Sequence, residues 1–129
     1  MGYKITLYFN IIDENLNPEE ITNFIGVKPT GTWNKGDIRK NTKIKEPKSG
    51  WEIKISNDKY DNLNDYIINL LEKINHVRDR VKIITEKYYS ELGFSIYSNK
   101  DMPEIFFSNK ILKEIIDLNL NIDIDIYNT

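Results

Sequence analysis

Four stretches of this chain alternate apolar and polar residues with a period of two, and none of them is apolar throughout. The apolar positions are Ile5, Leu7, Phe9 and Ile11; Trp51, Ile53 and Ile55; Leu92, Phe94 and Ile96; and Ile122, Ile124 and Ile126. Successive side chains of a strand point to opposite faces, so this spacing describes strands with one buried and one polar face. A sheet covered on both faces would instead read as continuous apolar runs. The pattern therefore requires every helix to lie against the same side of one sheet. That is an α+β fold, a two-layer sandwich.

The helices are signalled as clearly. Asn17 suits an N-cap and Pro18 a first helical position. Glu20 completes a capping box, Ile21, Phe24 and Ile25 share a face, and Gly26 suits a left-handed C′ residue. Together they predict a helix from Pro18 to Ile25. From Asn62, the residues Leu63, Tyr66, Ile67, Leu70, Leu71 and Ile74 follow helical spacing, and Val77, Val81 and Ile84 extend the stripe to about Lys87, with a break expected near Asn75 and His76. Ser108 caps a further helix carrying Ile111, Leu112, Ile115 and Ile116, with Phe107 and Leu112 placed as a hydrophobic staple.

Between Val27 and Gly50 lies a long irregular segment with seven basic residues (Lys28, Lys35, Arg39, Lys40, Lys43, Lys45, Lys48) against Asp37 and Glu46. Structureless loops of this length are uncommon inside a compact domain. If part of Thr30 to Asp37 is a strand paired with Trp51–Ser56, the order becomes β-α-β-β-α-β. That is the ferredoxin-like core, followed by an added C-terminal helix and strand.

The length, 129 residues, predicts a single domain spanning 1–129 with a sizeable core. There is no cysteine, which removes disulfides, thiolate metal ligands and a cysteine nucleophile, and fits a reducing compartment. The chain opens directly on a strand pattern, without the features of a signal peptide. No apolar run approaches the roughly 20 residues that span a bilayer. The expectation is a cytoplasmic protein with no membrane association.

Several residues combine chemistry, each with a plainer explanation beside it. Thr30, Thr32, Trp33, Lys35 and Asp37 could frame a phosphate or carboxylate ligand. Alternatively, Trp33 folds back and caps the core. A buried Trp removes ~150–250 Å² from water, worth ~4–6 kcal/mol, enough to tether the loop. The basic run from Arg39 to Lys48 could meet nucleic acid, but it has no interleaved aromatic, and a net charge of −2 argues against a nucleic-acid partner.

Asp123 and Asp125 share one face of a strand and could hold a cation or, with Asp37, build a hydrolase. As the solvent face of an edge strand they would simply discourage unwanted pairing. His76, the only histidine, has no sequence-visible nucleophile or metal partner and belongs on a helix surface or break. No catalytic constellation, metal site or cofactor motif is visible. Tyr8, Tyr97 and Tyr127 fall on the outward sheet face, where they serve either a partner surface or cross-strand pairing.

An ordered set of short motifs adds to this reading: Asn17-Pro18-Glu19-Glu20-Ile21, Gly26-Val27-Lys28-Pro29-Thr30, Trp33-x-Lys35-Gly36-Asp37, Ser49-Gly50-Trp51 and Ile122-Asp123-Ile124-Asp125-Ile126-Tyr127. In that order and spacing the chain resembles the small bacterial family named domain of unknown function 4279, over nearly its whole length. No catalytic residues come with the resemblance. Some members resemble immunity proteins of polymorphic toxin systems, so the resemblance implies protein–protein recognition, and possible toxin neutralisation. The alternative is ligand or nucleic-acid binding through the 27–50 segment.

Overall fold

The computed structural model describes residues 2–128. In chain order the elements are β1 (Tyr3–Asp13), α1 (Pro18–Ile25), β2 (Gly31–Trp33), β3 (Ser49–Ser56), α2 (Leu63–Ile74), a single 3₁₀ turn (Asn75–Val77), α3 (Arg78–Lys87), β4 (Tyr89–Ser98), α4 (Asn109–Asp117) and β5 (Asn121–Asn128). The strands form one five-stranded mixed sheet in the order β2-β3-β1-β4-β5. β1 pairs antiparallel with both β3 and β4, β2 pairs antiparallel with β3, and β5 runs parallel to β4. The fold is α+β.

Local chemistry sets the helix ends. The Asn17 side chain accepts hydrogen bonds from the backbone N–H of Glu19 (3.0 Å) and Glu20 (3.4 Å), and Gly26 takes the left-handed conformation at φ 80°. Asn62 and Ser108 cap α2 and α4 through the N–H groups of Asp65 and Ile111. The expected break falls at the 3₁₀ turn, where His76 is exposed. Just beyond it, Arg78 Nε donates to Asp117 Oδ2 (3.1 Å), and its guanidinium also bonds Glu114. Lys82 Nζ reaches Asp117 Oδ1 at 3.0 Å, so a charge network ties α3 to α4.

The apolar strand positions and the helix stripes meet in one core. Leu7, Phe9 and Ile11 of β1, Trp51 of β3 and Leu92 and Ile96 of β4 are all completely buried, packed with Ile25, Leu63, Ile74 and Val81 of the helices. Trp51 also satisfies its indole N–H, which donates to Thr22 Oγ1 on α1 at 2.9 Å, while its ring stands edge-on to Phe9 at 6.1 Å. The opposite side of the sheet is uncovered. Lys4, Lys54 and Asp125 are exposed there and Ser95 is half-exposed, while Ile53 and Phe94 lie in the core. The one-sided sheet read from the alternation is therefore present.

Part of the long basic segment is indeed a strand. Gly31–Trp33 pairs with Gly50–Glu52, and a second, exposed hairpin beyond it is held by a bridge between Ile38 and Lys45 and an Arg39–Glu46 ion pair at 2.8 Å. The expectation that Trp33 caps the core needs correction. Trp33 stands opposite Gly50, which shares the outward side of β3 with Glu52 and Lys54, and its ring occupies the place of a Gly50 Cβ, so the indole lies on the outer face. It does tether the loop, but from the wet side.

Candidate functional site

The outer face is built from the polar halves of all five strands, and their register sets out its rows. Trp33, Gly50, Ile12 and Tyr89 form the row at one end. Next come Gly31, Glu52, Asn10, Glu91 and Asn121, then Lys54, Tyr8, Gly93 and Asp123. Ser56, Thr6, Ser95 and Asp125 follow, and Lys4, Tyr97 and Tyr127 close the face.

The three outward tyrosines come together at the lower end. The rings of Tyr97 and Tyr127 stack at 4.9 Å with an 18° tilt, and both are nearly half exposed. Tyr8 stands on the central strand with Lys54 Nζ 5.9 Å above its ring. Lys4, Thr6, Tyr8, Lys54 and Tyr97 line a shallow depression of about 400 Å³. Burial raises the Tyr8 pKa, and the negative field of Glu52 and the proximity of Tyr97 and Tyr127 push it the same way.

Acidic groups occupy the other half. Burial raises the Glu91 pKa, and Asp123 and then Asp125 add to the rise; hydrogen bonds from Tyr89 and Asn10 oppose it. Burial also raises the Glu52 pKa, against the pull of Lys54. Asn10 lies between Glu52 and Glu91 in the register, and its Oδ1 atom is buried with no hydrogen-bond partner among the described residues.

The residues of the proposed ligand frame do not converge on a common point. Thr30 Oγ1 accepts the backbone N–H of Lys54 (2.9 Å), and the N–H of Lys35 donates to Ser49 Oγ (2.9 Å). Asp37 Oδ2 accepts the N–H of Asn34 at 2.8 Å, closing a turn through Gly36 at φ 92°. Lys35 Nζ lies 3.9 Å from Glu14, and Thr32 is exposed on the sheet edge. These polar atoms build the loop itself.

Asp37 follows β2 and the pair Asp123 and Asp125 sits on β5, at opposite edges of the sheet. Four strand spacings of ~4.8 Å put them on the order of 20 Å apart, so the three carboxylates cannot share an ion or a substrate atom. Among the described residues no cluster of three metal-ligating side chains forms. Asp123 and Asp125 do occupy an edge strand, as their alternation with isoleucine predicts.

Sequence reasoning found the tyrosines but not what surrounds them. Glu52, Asn10 and Glu91 share a row only because three separate strands are in register. Gly93 was legible as an outward position.

No helix among the described residues is long and apolar enough to cross a membrane. The sequence matches the family described as Domain of unknown function (DUF4279) over residues 3–129. No curated protein and no solved structure matches the chain.

Proposed function

The chain belongs to the DUF4279 family, and we propose that this member is a cytoplasmic binding module that recognises a protein partner through the outer face of its sheet, as an immunity protein neutralising a toxin would. The observation that carries the reading is the uncovered face itself, with its stacked Tyr97–Tyr127 pair and the half-buried Tyr8 beside it. Tyrosine offers a large, rigid contact with a polar tip, and aromatic residues are enriched where proteins meet.

The size fits as well. Five strands at ~4.8 Å and nine residues of β1 at ~3.4 Å give a plane on the order of 700 Å². With side-chain relief, that approaches the ~800 Å² each partner contributes to a standard interface. The absence of cysteine from the sequence agrees with a reducing compartment. We also read β1 to β4 with α1 to α3 as a ferredoxin-like core extended by α4 and β5. The strand order β2-β3-β1-β4 with antiparallel neighbours supports that reading.

The test is co-purification from the source cell with the tagged chain. A stoichiometric protein should be captured, and it should be lost from the Tyr97→Ala, Tyr127→Ala double variant but retained by Ile83→Ala on the exposed side of α3. Equal retention by both variants would refute the surface assignment. The exposed basic hairpin around Arg39 to Lys48 supports a second reading, binding of an anionic ligand. That reading requires association with RNA, DNA or nucleotides that weakens steeply with salt, and no change at low salt removes it.

A further inference from the structure

Asn10, on the central strand of the sheet, stands between two carboxyl groups. Glu52 lies opposite it on β3 and Glu91 on β4, and all three side chains are half-buried. The Asn10 amide donates to the Glu91 carboxylate. A side-chain amide carries its donor and its acceptor on opposite branches, so the Asn10 oxygen turns toward β3. That oxygen, Oδ1, is buried and receives no hydrogen bond among the described residues. A buried acceptor without a donor is costly and uncommon in folded proteins.

Few groups could supply the missing hydrogen. Gly31, at the β2 end of the row, has no side chain, and Ile12, the next outward residue of β1, has no polar one. Lys54 and Tyr8 stand together in the adjacent row, with the Lys54 ammonium 5.9 Å over the Tyr8 ring. Glu52 remains. Ionised, its carboxylate only accepts; protonated, it gains an O–H donor. Turning the amide over does not remove the difficulty, because the oxygen then meets Glu91 in place of Glu52. One amide between two carboxyl groups serves both only when one of them holds a proton.

We infer that the Glu52–Asn10–Glu91 row is a proton-dependent switch, in which protonated Glu52 donates to Asn10 Oδ1 while Asn10 donates to ionised Glu91. The inference stands on the register and the orphaned buried oxygen, and it is independent of the reading of this face as a recognition surface. The surroundings favour the proton. Burial lifts the Glu52 pKa above its ordinary value of 4.5, and Lys54 pulls the other way. The other titratable groups facing the row are Tyr8 from β1, Tyr89 from β4 and Asp123 and Asp125 from β5, while β2 presents only Gly31 and Trp33. When Glu52 loses its proton, the row gains a negative charge and Asn10 can serve only one of its two neighbours.

The experiment is an NMR titration of the labelled full chain, following the Glu52 Cδ and Asn10 side-chain amide resonances. Glu52 should titrate with a midpoint above 4.5, and the Asn10 amide should move with that same midpoint. Glu91→Gln frees the amide to turn its N–H groups to Glu52, so Glu52 should hold its proton about fivefold more weakly, the scale of one hydrogen bond. In an Asn10→Ala background the same substitution should change proton binding by less than about twofold, because the amide that links the two carboxyl groups is gone.

A second measurement does not depend on Asn10→Ala folding. Glu52→Gln donates from its own amide at every pH. A group whose folded pKa is raised stabilises below its unfolded value and loses that contribution as pH rises through the folded one. The parent should therefore lose thermal stability relative to Glu52→Gln as pH rises through the Glu52 midpoint. A Glu52 midpoint at or below 4.5, an Asn10 amide that does not follow it, or melts of the two proteins that stay equally separated across this range would each overturn the switch.

Discussion

Replacing Gly50 by alanine is a small change with a large consequence, because the methyl would enter the Trp33 ring. Its distances to Trp33 Cζ2, Cε2 and Cη2 would be 2.1, 2.3 and 2.7 Å, so the indole must leave. Trp33 is half-buried. A fully buried Trp hides ~150–250 Å², so roughly 100–150 Å² is at stake here, or ~2.5–4 kcal/mol at ~25 cal/mol per Å². Alanine in a strand recovers ~0.5–1 kcal/mol by restricting the unfolded chain. The expected net loss is ~2–3 kcal/mol. In urea melts of a domain this size, with a slope of about 1.5–2 kcal/mol per M, the midpoint should fall by ~1–2 M.

The sharper prediction is the coupling. In a Trp33→Ala background there is no ring to displace, so Gly50→Ala should be neutral or stabilising, and the double-mutant cycle should show an interaction of ~2–3 kcal/mol. If Gly50→Ala costs the same in both backgrounds, Trp33 does not cover Gly50 and the outer-face placement of the loop is wrong.

Two further changes report on the sheet face and the core. Burial and Asp123 raise the Glu91 pKa above its ordinary value of 4.5, so the folded state holds this proton more tightly than the unfolded one. That contribution is present below the unfolded value and is lost as pH rises through the folded one. Glu91→Gln should therefore gain stability relative to the parent between pH 4 and pH 7 in thermal melts; a difference that is flat with pH would contradict the assignment. Thr22→Val leaves the buried indole N–H of Trp51 without its acceptor at 2.9 Å and should cost ~1–3 kcal/mol by chemical denaturation. A loss under ~0.5 kcal/mol would mean that this bond contributes little.

What could be read from the sequence was local or periodic. The N-cap Asn17, Pro18 and Gly26 placed α1 from Pro18 to Ile25 because each acts on the backbone within a turn of itself. The period of two placed the wet and dry faces of β1, β3 and β4, since a shift of one residue would exchange them completely. The side taken by Trp33 could not be read, because Pro29 and Thr30 interrupt the alternation and only pairing with Gly50 sets its parity. The parallel direction of β5 was equally hidden, since it depends on how α4 carries the chain back across the sheet. The outer face needed several strands in register, so Tyr8, Tyr97 and Tyr127 were visible singly while their common surface was not.

In the proposed reading the uncovered sheet face, and not the helical side, meets the partner. Its most direct test is photo-cross-linking in the source cell with benzoylphenylalanine placed at Tyr97 or, as the contrasting position, at Ile83 on α3, which is 54% exposed. The account predicts one defined protein adduct from position 97 and none above background from position 83. An adduct from position 83 with none from 97 would contradict it.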